Sequence, residues 1–328
     1  MEKNLIKVEN LKKWFPVRTG FLRSVISRKE LFVRAVDGIS FDIKKGEIFG
    51  LAGESGSGKT TTGRVLLRLL GPTSGKIYFH NEEITSIPES KFKPFRRKMQ
   101  IVFQDPYESL NPRMTIFDTL AEPLIIQGIK SDQELEERVD KILEDVELIP
   151  PREFTFRFPH ELSGGQRQRV ATGRALILGP EFIVADEPVS MLDVSTRAEV
   201  LDLMIDLVER YQVSFLYITH DLALARHICD RIAVMYLGKI MEMGDTDKVI
   251  AEPLHPYTQA LIAAVPVPDP TSRRTEVVIK GEIPSPINPP SGCRFHTRCP
   301  NYIGDICRTK EPQLLNVEGR LVACHLYS

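Results

Sequence analysis

The chain has 328 residues, of which 42% are hydrophobic, and its formal net charge is −1 at pH 7. This length predicts about two domains with a substantial buried core. The nearly neutral charge argues against a nucleic-acid-binding protein, which needs a basic surface. No run of roughly 20 apolar residues predicts a membrane span, and the amino terminus lacks a signal-peptide layout. We therefore expect a protein that is soluble by itself and that reaches a membrane only through partners.

Strand-like and helical patterns alternate along the chain and predict an α/β fold. Near the amino terminus, strands are expected around residues 6–8, 33–43, 47–52 and 75–80. Between residues 115 and 148 the apolar positions recur at helical spacing instead. No internal repeat is present, so we expect the two domains to differ from each other and not to be copies of one module.

Residues 53–60 fit the phosphate-loop pattern G-x-x-x-x-G-K-[ST]. An apolar run at 48–52 predicts a buried strand before this loop, and residues 61–70 predict a helix after it. Backbone N–H groups of such a loop point at phosphate oxygens, while Lys59 reaches the β- and γ-phosphates and Thr60 completes a Mg²⁺ shell. The alternative is a glycine-rich turn with a surface lysine. The residues predicted to contact nucleotide here are Gly53, Ser55, Gly56, Gly58, Lys59, Thr60 and Thr61.

Two acidic residues follow the apolar segment at 182–185. In a parallel sheet the carboxyl ends of the strands face the ligand, so Asp186 and Glu187 are expected beside the phosphate loop. Asp186 is predicted to hold Mg²⁺ through water, and Glu187 to orient and deprotonate the attacking water. Taken alone, the same pair could cap the following helix.

The segment 162–166 reads Leu-Ser-Gly-Gly-Gln. With the two motifs above, it resembles the signature of the ATP-binding subunits of ABC transporters. Ser163 is expected to open a helix whose amino terminus forms a second anion site. The resemblance implies that two subunits close head to tail, so that Ser163, Gly165 and Gln166 of one cover the ATP on the other.

Further positions match this family one by one. Gln104 resembles the Q-loop glutamine, Asp193 the D-loop aspartate and His220 the switch histidine, although a lone histidine is more often a packing residue. Phe15 lies where the family places an aromatic ring under adenine, with Trp14 as the alternative ring. The resemblance assigns catalysis to Glu187, His220, Gln104 and Lys59. It assigns Mg²⁺ to Thr60, Gln104 and Asp186.

The same resemblance implies a fold and its divisions. We expect a phosphate-loop NTPase domain over residues 1–250, with an antiparallel β subdomain and a helical subdomain at about 107–165. Residues 251–328 would form a Cys-rich carboxyl-terminal extension. Its prolines between 266 and 290 predict an extended linker.

Four of the five cysteines lie in this extension with the spacing C-x5-C-x7-C-x16-C. Without an export signal, metal or iron–sulfur ligation is favoured over disulfides, yet the spacing matches neither a zinc ribbon nor a ferredoxin. Segments 255–261, 293–300 and 322–325 resemble the extension of oligopeptide and dipeptide importer ATPases. The stretch 105–115, together with residues 63–64, most resembles the F-type subunit of that family. That resemblance implies a [4Fe–4S] cluster, with Zn²⁺ as the alternative. The ligands would be Cys293, Cys299, Cys307 and Cys324.

The expected function is an ATPase subunit that energises di- and oligopeptide import at the cytoplasmic face of a bacterial or archaeal membrane. Its expected partners are two integral membrane permease subunits, a related ATPase subunit or a second copy of itself and, indirectly, an extracellular peptide-binding protein. Nickel or oligosaccharide import, a soluble ABC ATPase and a cluster-handling protein are the alternatives. Because the cysteines are remote in sequence from the phosphate-contacting motifs, Cys299→Ser is expected mainly to destabilise residues beyond 290.

Overall fold

Two β-sheets organise the part of the chain that the computed structural model describes, namely residues 4–17, 30–264, 279 and 281–328. The smaller sheet is antiparallel, with the strand order β2-β1-β4-β5. Its strands are β1 Asn4–Pro16, β2 Phe32–Lys44, β4 Ser74–Phe79 and β5 Glu82–Glu83. This sheet matches the expected antiparallel subdomain, and β1 extends far enough to carry Trp14 and Phe15.

The larger sheet has the order β11-β12-β10-β9-β3-β8-β7-β6. Strands β9, β3, β8, β7 and β6 run parallel, and their residues are almost all buried. Helices cover one face of these strands, and the smaller sheet covers the other together with the helices Lys59–Leu66 and Glu89–Lys98. The strands are β3 Ile48–Ala52, β6 Met99–Val102, β7 Phe182–Asp186, β8 Ser214–Thr219, β9 Arg231–Tyr236, β10 Lys239–Asp245, β11 Leu315–Val317 and β12 Arg320–Val322. The strand predicted at 48–52 is thus confirmed at the centre of this sheet.

Helices connect and cover these strands. They are Lys59–Leu66, Glu89–Lys98, Pro106–Ser109, Ile116–Ile126, Asp132–Asp145, Arg152–Thr155, Gly164–Leu176, Val194–Tyr211, Leu222–Ile228, Thr246–Ala251, Pro256–Ala263 and Asp305–Thr309, with 3-10 turns at Pro159–Glu161 and His325–Tyr327. None of the described helices is long and apolar enough to cross a membrane.

The expected helical region is built from amphipathic helices. Ile116–Ile126 begins at a capping box formed by Thr115 and Asp118, which satisfies backbone N–H groups of its first turn. Asp132–Asp145 buries Leu135, Val139, Ile142 and Leu143 on one face. These apolar faces pack in one hydrophobic core with the helix Gly164–Leu176.

The helix after the phosphate loop is shorter than predicted. It was expected over residues 61–70 and instead spans Lys59–Leu66. Arg68 adopts a left-handed conformation at φ 56°, which ends the helix. Its guanidinium donates hydrogen bonds to the Ile84 and Ile87 carbonyls, at 2.5 and 3.1 Å, so tertiary contacts hold this turn.

The carboxyl-terminal residues join the large sheet. Strand β12 pairs antiparallel with β10, with Glu242 opposite Val322 and Met243 opposite Leu321, and β11 extends the edge. Most of the predicted proline-rich linker, residues 266–278 and 280, lies outside the described residues. The part of the extension from 281 onward therefore shares its sheet with the phosphate-loop region.

Candidate active site

The phosphate loop follows β3 and depends on its glycines. Gly53 and Gly58 have φ angles of 148° and 108°. A Cβ atom at Gly58 would lie 2.1 Å from the Ala35 carbonyl oxygen, and one at Gly53 would lie 2.2 Å from the Met235 carbonyl oxygen. Only glycine fits these two positions, and the loop can therefore turn its N–H groups inward.

Lys59 is held against the loop that precedes it. Its Nζ donates to the carbonyl oxygens of Gly53 at 2.7 Å and of Glu54 at 3.0 Å. Burial lowers the pKa of Lys59, although the carboxylates of Asp186 and Glu187 act in the opposite direction. The ammonium is thus a desolvated cation that a phosphate group would stabilise.

A cavity of about 910 Å³ opens over this loop. Most of the predicted site residues line it, namely Phe15, Gly53, Ser55, Gly56, Gly58, Lys59, Thr60, Thr61, Gln104, Glu187 and His220. Leu261, Ile283 and Pro286 also line it and were missed, because no motif marks them. Phe15 rather than Trp14 faces this cavity, since the Trp14 indole donates to Asp37 Oδ1 at 3.0 Å.

The residues predicted to bind Mg²⁺ meet beside the cavity. The Thr60 hydroxyl donates to Asp186 Oδ1 at 2.9 Å. Asp186 is only 3% exposed, and burial raises its pKa. The Thr60 hydroxyl and the Asp186 carboxylate supply oxygen donors that Mg²⁺ prefers, and Gln104 lines the same cavity as Thr60, so these residues fit the ion.

Two other side chains predicted to be catalytic, those of Gln104 and His220, lie next to the Glu187 carboxylate. Its Oε2 accepts a hydrogen bond from Gln104 Nε2 at 3.3 Å and lies 3.0 Å from His220 Nδ1. The Glu187 backbone is left-handed, with φ 47°, which is uncommon for a residue other than glycine. Its N–H donates to the Ile218 carbonyl at 3.0 Å, which holds the Glu187 backbone at the carboxyl ends of β7 and β8.

The signature residues are not brought to this cavity. Ser163 caps the helix Gly164–Leu176 as predicted, in a capping box with Gln166. Gly165 packs against the helix Val194–Tyr211, because a Cβ there would lie 2.4 Å from Thr196 Cγ2. None of Ser163, Gly165, Gln166 and Asp193 lines the cavity of the same chain.

Asp193 caps the helix Val194–Tyr211. Its carboxylate accepts hydrogen bonds from the Thr196 N–H at 3.1 Å and from the Thr196 and Ser195 hydroxyls at 2.8 and 2.9 Å. These hydrogen bonds lower the pKa of Asp193 to about 2. The structure thus gives this residue a capping role, and its predicted nucleotide contact stays a prediction.

The predicted iron–sulfur site has less geometric support. In the described ranges, no group of three or more His, Cys, Asp or Glu side chains is placed to hold a metal ion. Burial, reinforced by neighbouring thiols, raises the pKa of Cys293 to about 12 and that of Cys299 to about 11. The Cys293 N–H donates to the Cys307 carbonyl at 2.8 Å, so these two cysteines are neighbours, but the four thiols do not form a ligand set in this structure.

The extension also reaches the phosphate loop. Arg298, next to Cys299, forms an ion pair with Glu54 at 2.8 Å, and the Glu54 N–H donates to the Tyr257 hydroxyl at 2.9 Å. The cysteine segment is therefore remote from the phosphate loop in sequence only. Sequence reasoning missed this contact because nothing in the spacing of the motifs pairs position 298 with position 54.

Two family models match the chain. The model described as ABC transporter matches residues 36–190, which contain the phosphate loop, Gln104, the signature and Asp186. The model described as Oligopeptide/dipeptide transporter, C-terminal region, matches residues 241–307.

Curated relatives and solved structures agree with these matches. The chain is 47% identical to the oligopeptide transport ATP-binding protein AppF of Bacillus subtilis, covering 100% of this chain and 98% of that protein. It is 49% identical to a putative peptide import ATP-binding protein of Brucella ovis, with 98% of each covered.

Among solved structures, cbiO1 of Clostridium perfringens aligns with a TM-score of 0.65 at 27% identity, over 76% of this chain and 92% of that one. The dimeric ABC transporter cassette MJ0796 aligns with a TM-score of 0.63 at 31% identity, over 74% and 98%. The chain is therefore an ATP-hydrolysing member of the ABC transporter ATPase family, of the group that carries the oligopeptide/dipeptide transporter carboxyl-terminal region.

Proposed function

We propose that the chain hydrolyses ATP to energise the import of di- and oligopeptides. The observation that carries this substrate class is the match of residues 241–307 to the oligopeptide/dipeptide transporter region, since the ATPase motifs alone do not select a solute. The names of the relatives from Bacillus subtilis and Brucella ovis support the same class.

For the reaction, Lys59 and the phosphate-loop amides would bind the ATP phosphates. Mg²⁺ held by Thr60, Asp186 and Gln104 would offset phosphate charge when bound. Glu187 would orient and deprotonate the attacking water, and His220 would contact the γ-phosphate. The 3.0 Å approach of His220 to Glu187 supports this assignment, because both groups then face the same point of the cavity.

The second half of the site would come from another subunit. Ser163, Gly165, Gln166 and Asp193 lie off the cavity of their own chain, which favours use in trans. MJ0796, a structural neighbour, is described as a dimeric cassette. We infer head-to-tail closure, either with a related ATPase subunit or with a second copy of this chain.

A groove of about 280 Å³ between the sheet and the helical region is the proposed contact for one of the two permease subunits. Phe103 and Ile126 line it and are 38% and 61% exposed, and Arg174 donates to Glu122 at 2.6 Å within it. Phe103 precedes Gln104, so a permease element in this groove would act directly on the catalytic cavity. The proposed location is the cytoplasmic face of the membrane.

The four cysteines are proposed as the place for a [4Fe–4S] cluster or Zn²⁺. Thiolates suit both, and the contact between the Cys293 N–H and the Cys307 carbonyl supports the assignment, whereas the absence of a formed ligand set in the described residues opposes it. Iron, sulfide and zinc analysis of anaerobically purified protein separates the two. A metal-free preparation with full stability would remove the assignment.

The transport proposal is tested by reconstitution. The chain would be purified through a tagged permease subunit and placed in liposomes with the peptide-binding protein. Peptides of two to five residues should stimulate ATP hydrolysis, whereas Ni²⁺ and oligosaccharides should not. Stimulation by Ni²⁺ or a sugar alone would replace the peptide assignment.

A further inference from the structure

Arg298, which belongs to the extension, forms an ion pair with Glu54 of the phosphate loop. Arg298 Nη1 donates to Glu54 Oε2 at 2.8 Å, and Nη2 donates to Glu54 Oε1 at 3.2 Å. This bidentate pair fixes the orientation of the two side chains as well as the distance between them. The Arg298 and Glu54 side chains are only 9% and 22% exposed. Solvent therefore screens this pair much less than it screens an ordinary surface ion pair.

Aromatic packing holds Arg298 in place. Phe295, from the same short loop, is fully buried and lies 5.2 Å from the Tyr257 ring and 5.3 Å from the Tyr236 ring, between centroids. Arg298 Nη1 also donates to the Tyr236 hydroxyl at 3.3 Å. The loop from Cys293 to Cys299 is thus packed against Tyr236 and Tyr257.

Glu54 connects this docked loop to the lysine of the phosphate loop. Its N–H donates to the Tyr257 hydroxyl, so both its backbone and its carboxylate are held by residues beyond 250. Its carbonyl oxygen accepts from Lys59 Nζ. A rotation of the Glu54 peptide would therefore move the lysine that faces the phosphates.

We propose that Arg298 is a positioning residue for nucleotide binding: by fixing Glu54 it holds the phosphate loop and Lys59 in their binding arrangement. The carboxyl-terminal extension is then part of the nucleotide site as well as a marker of substrate class. This inference rests on the proposed binding of Mg-ATP at residues 53–60.

The test is a double-mutant cycle on the full-length chain, read out as the Kd of a fluorescent ATP analogue with Mg²⁺. Arg298→Gln and Glu54→Gln should each raise the Kd by about tenfold, within the usual range of coupling between linked sites. The double variant should be no weaker than either single variant, because each substitution breaks the same pair. Arg298→Lys keeps the positive charge but loses the bidentate hydrogen bonding, so its Kd should lie between those of the parent and Arg298→Gln.

The matched control is Glu311→Gln. Glu311 forms an ion pair with Lys239 at 2.6 Å and so also ties the extension to the core, but unlike Arg298 it does not pair with a side chain of the phosphate loop. Its variant should keep the parent Kd. Melting temperatures of all variants show whether the change in affinity is merely a loss of folding, and Glu54→Gln guards against a poorly folded Arg298→Gln protein.

Two results would overturn the proposal. One is an Arg298→Gln Kd within twofold of the parent, and the other is multiplication of the two single effects in the double variant. A different failure, in which the parent does not bind the analogue or Lys59→Ala binds it equally well, would instead remove the proposed nucleotide site.

Discussion

His220 Nδ1 lies 3.0 Å from Oε2 of Glu187, the same oxygen that accepts a hydrogen bond from Gln104. Three separate segments of the chain therefore converge on one carboxylate oxygen. A water molecule or a hydroxyl group can form a hydrogen bond to this oxygen only if Gln104 or His220 moves away or shares the oxygen with it. Movement of Gln104 or His220 would thus change what Glu187 can do.

Glu187→Gln should stop turnover while leaving nucleotide binding intact. The amide keeps the shape of the side chain but cannot accept a proton, and removal of a general base typically lowers kcat by about 100-fold or more. Steady-state ATPase activity and the Kd of a fluorescent ATP analogue measure the two properties separately. Hydrolysis at the parent rate would exclude the proposed role of Glu187.

The sequence predicted the site better than its surroundings. Glycines, a lysine and paired acids mark the loop and the strand ends, because phosphate binding permits few residue types there. The left-handed turn at Arg68 depends on carbonyls of Ile84 and Ile87, which no local pattern reveals. The Arg298–Glu54 pair spans 244 positions and depends on how the extension docks, so it could only be found in three dimensions.

Gly58→Ala should abolish nucleotide binding through sterics. A Cβ atom there would lie 2.1 Å from the Ala35 carbonyl oxygen, and its φ of 108° is unfavourable for alanine. Gly179→Ala is the matched control, since φ is 64° and, apart from its chain neighbours, no atom of the described residues lies within 4 Å of its Cβ position. The control should keep the parent Kd and lose only about 1–2 kcal/mol of stability from backbone strain. Equal nucleotide binding by both variants would contradict the steric argument.

Glu187→Gln with saturating Mg-ATP should accumulate as a nucleotide-bound dimer, alone or with its related subunit, detected by light scattering. Adding Ser163→Arg should prevent that dimer, because a large side chain at the start of the helix Gly164–Leu176 would meet the partner's nucleotide. The Kd of each monomer for ATP should be unchanged, since Ser163 does not line the cavity of its own chain. A monomeric Glu187→Gln protein under these conditions would rule out the composite site.

Stability should fall in mild acid because of His255. This side chain is 1% exposed, and burial lowers its pKa from 6.5 to about 3. Between these two pKa values the unfolded chain binds a proton at His255 that the folded chain does not. The contribution of His255 to the free energy of unfolding is therefore fully present above pH 6.5 and declines as the pH falls. The slope from this group is about 1.4 kcal/mol per pH unit.

His255→Asn is the matched variant for that prediction. His255 Nδ1 accepts a hydrogen bond from the Tyr257 N–H at 3.0 Å and so caps the helix Pro256–Ala263, and the asparagine oxygen can replace that acceptor without titrating. Melting temperatures of both proteins would be compared at neutral pH and about one and two units lower. The parent should lose more stability than the variant at each step. Parallel curves would mean that other groups cause the acid sensitivity and that His255 titrates normally in the folded protein.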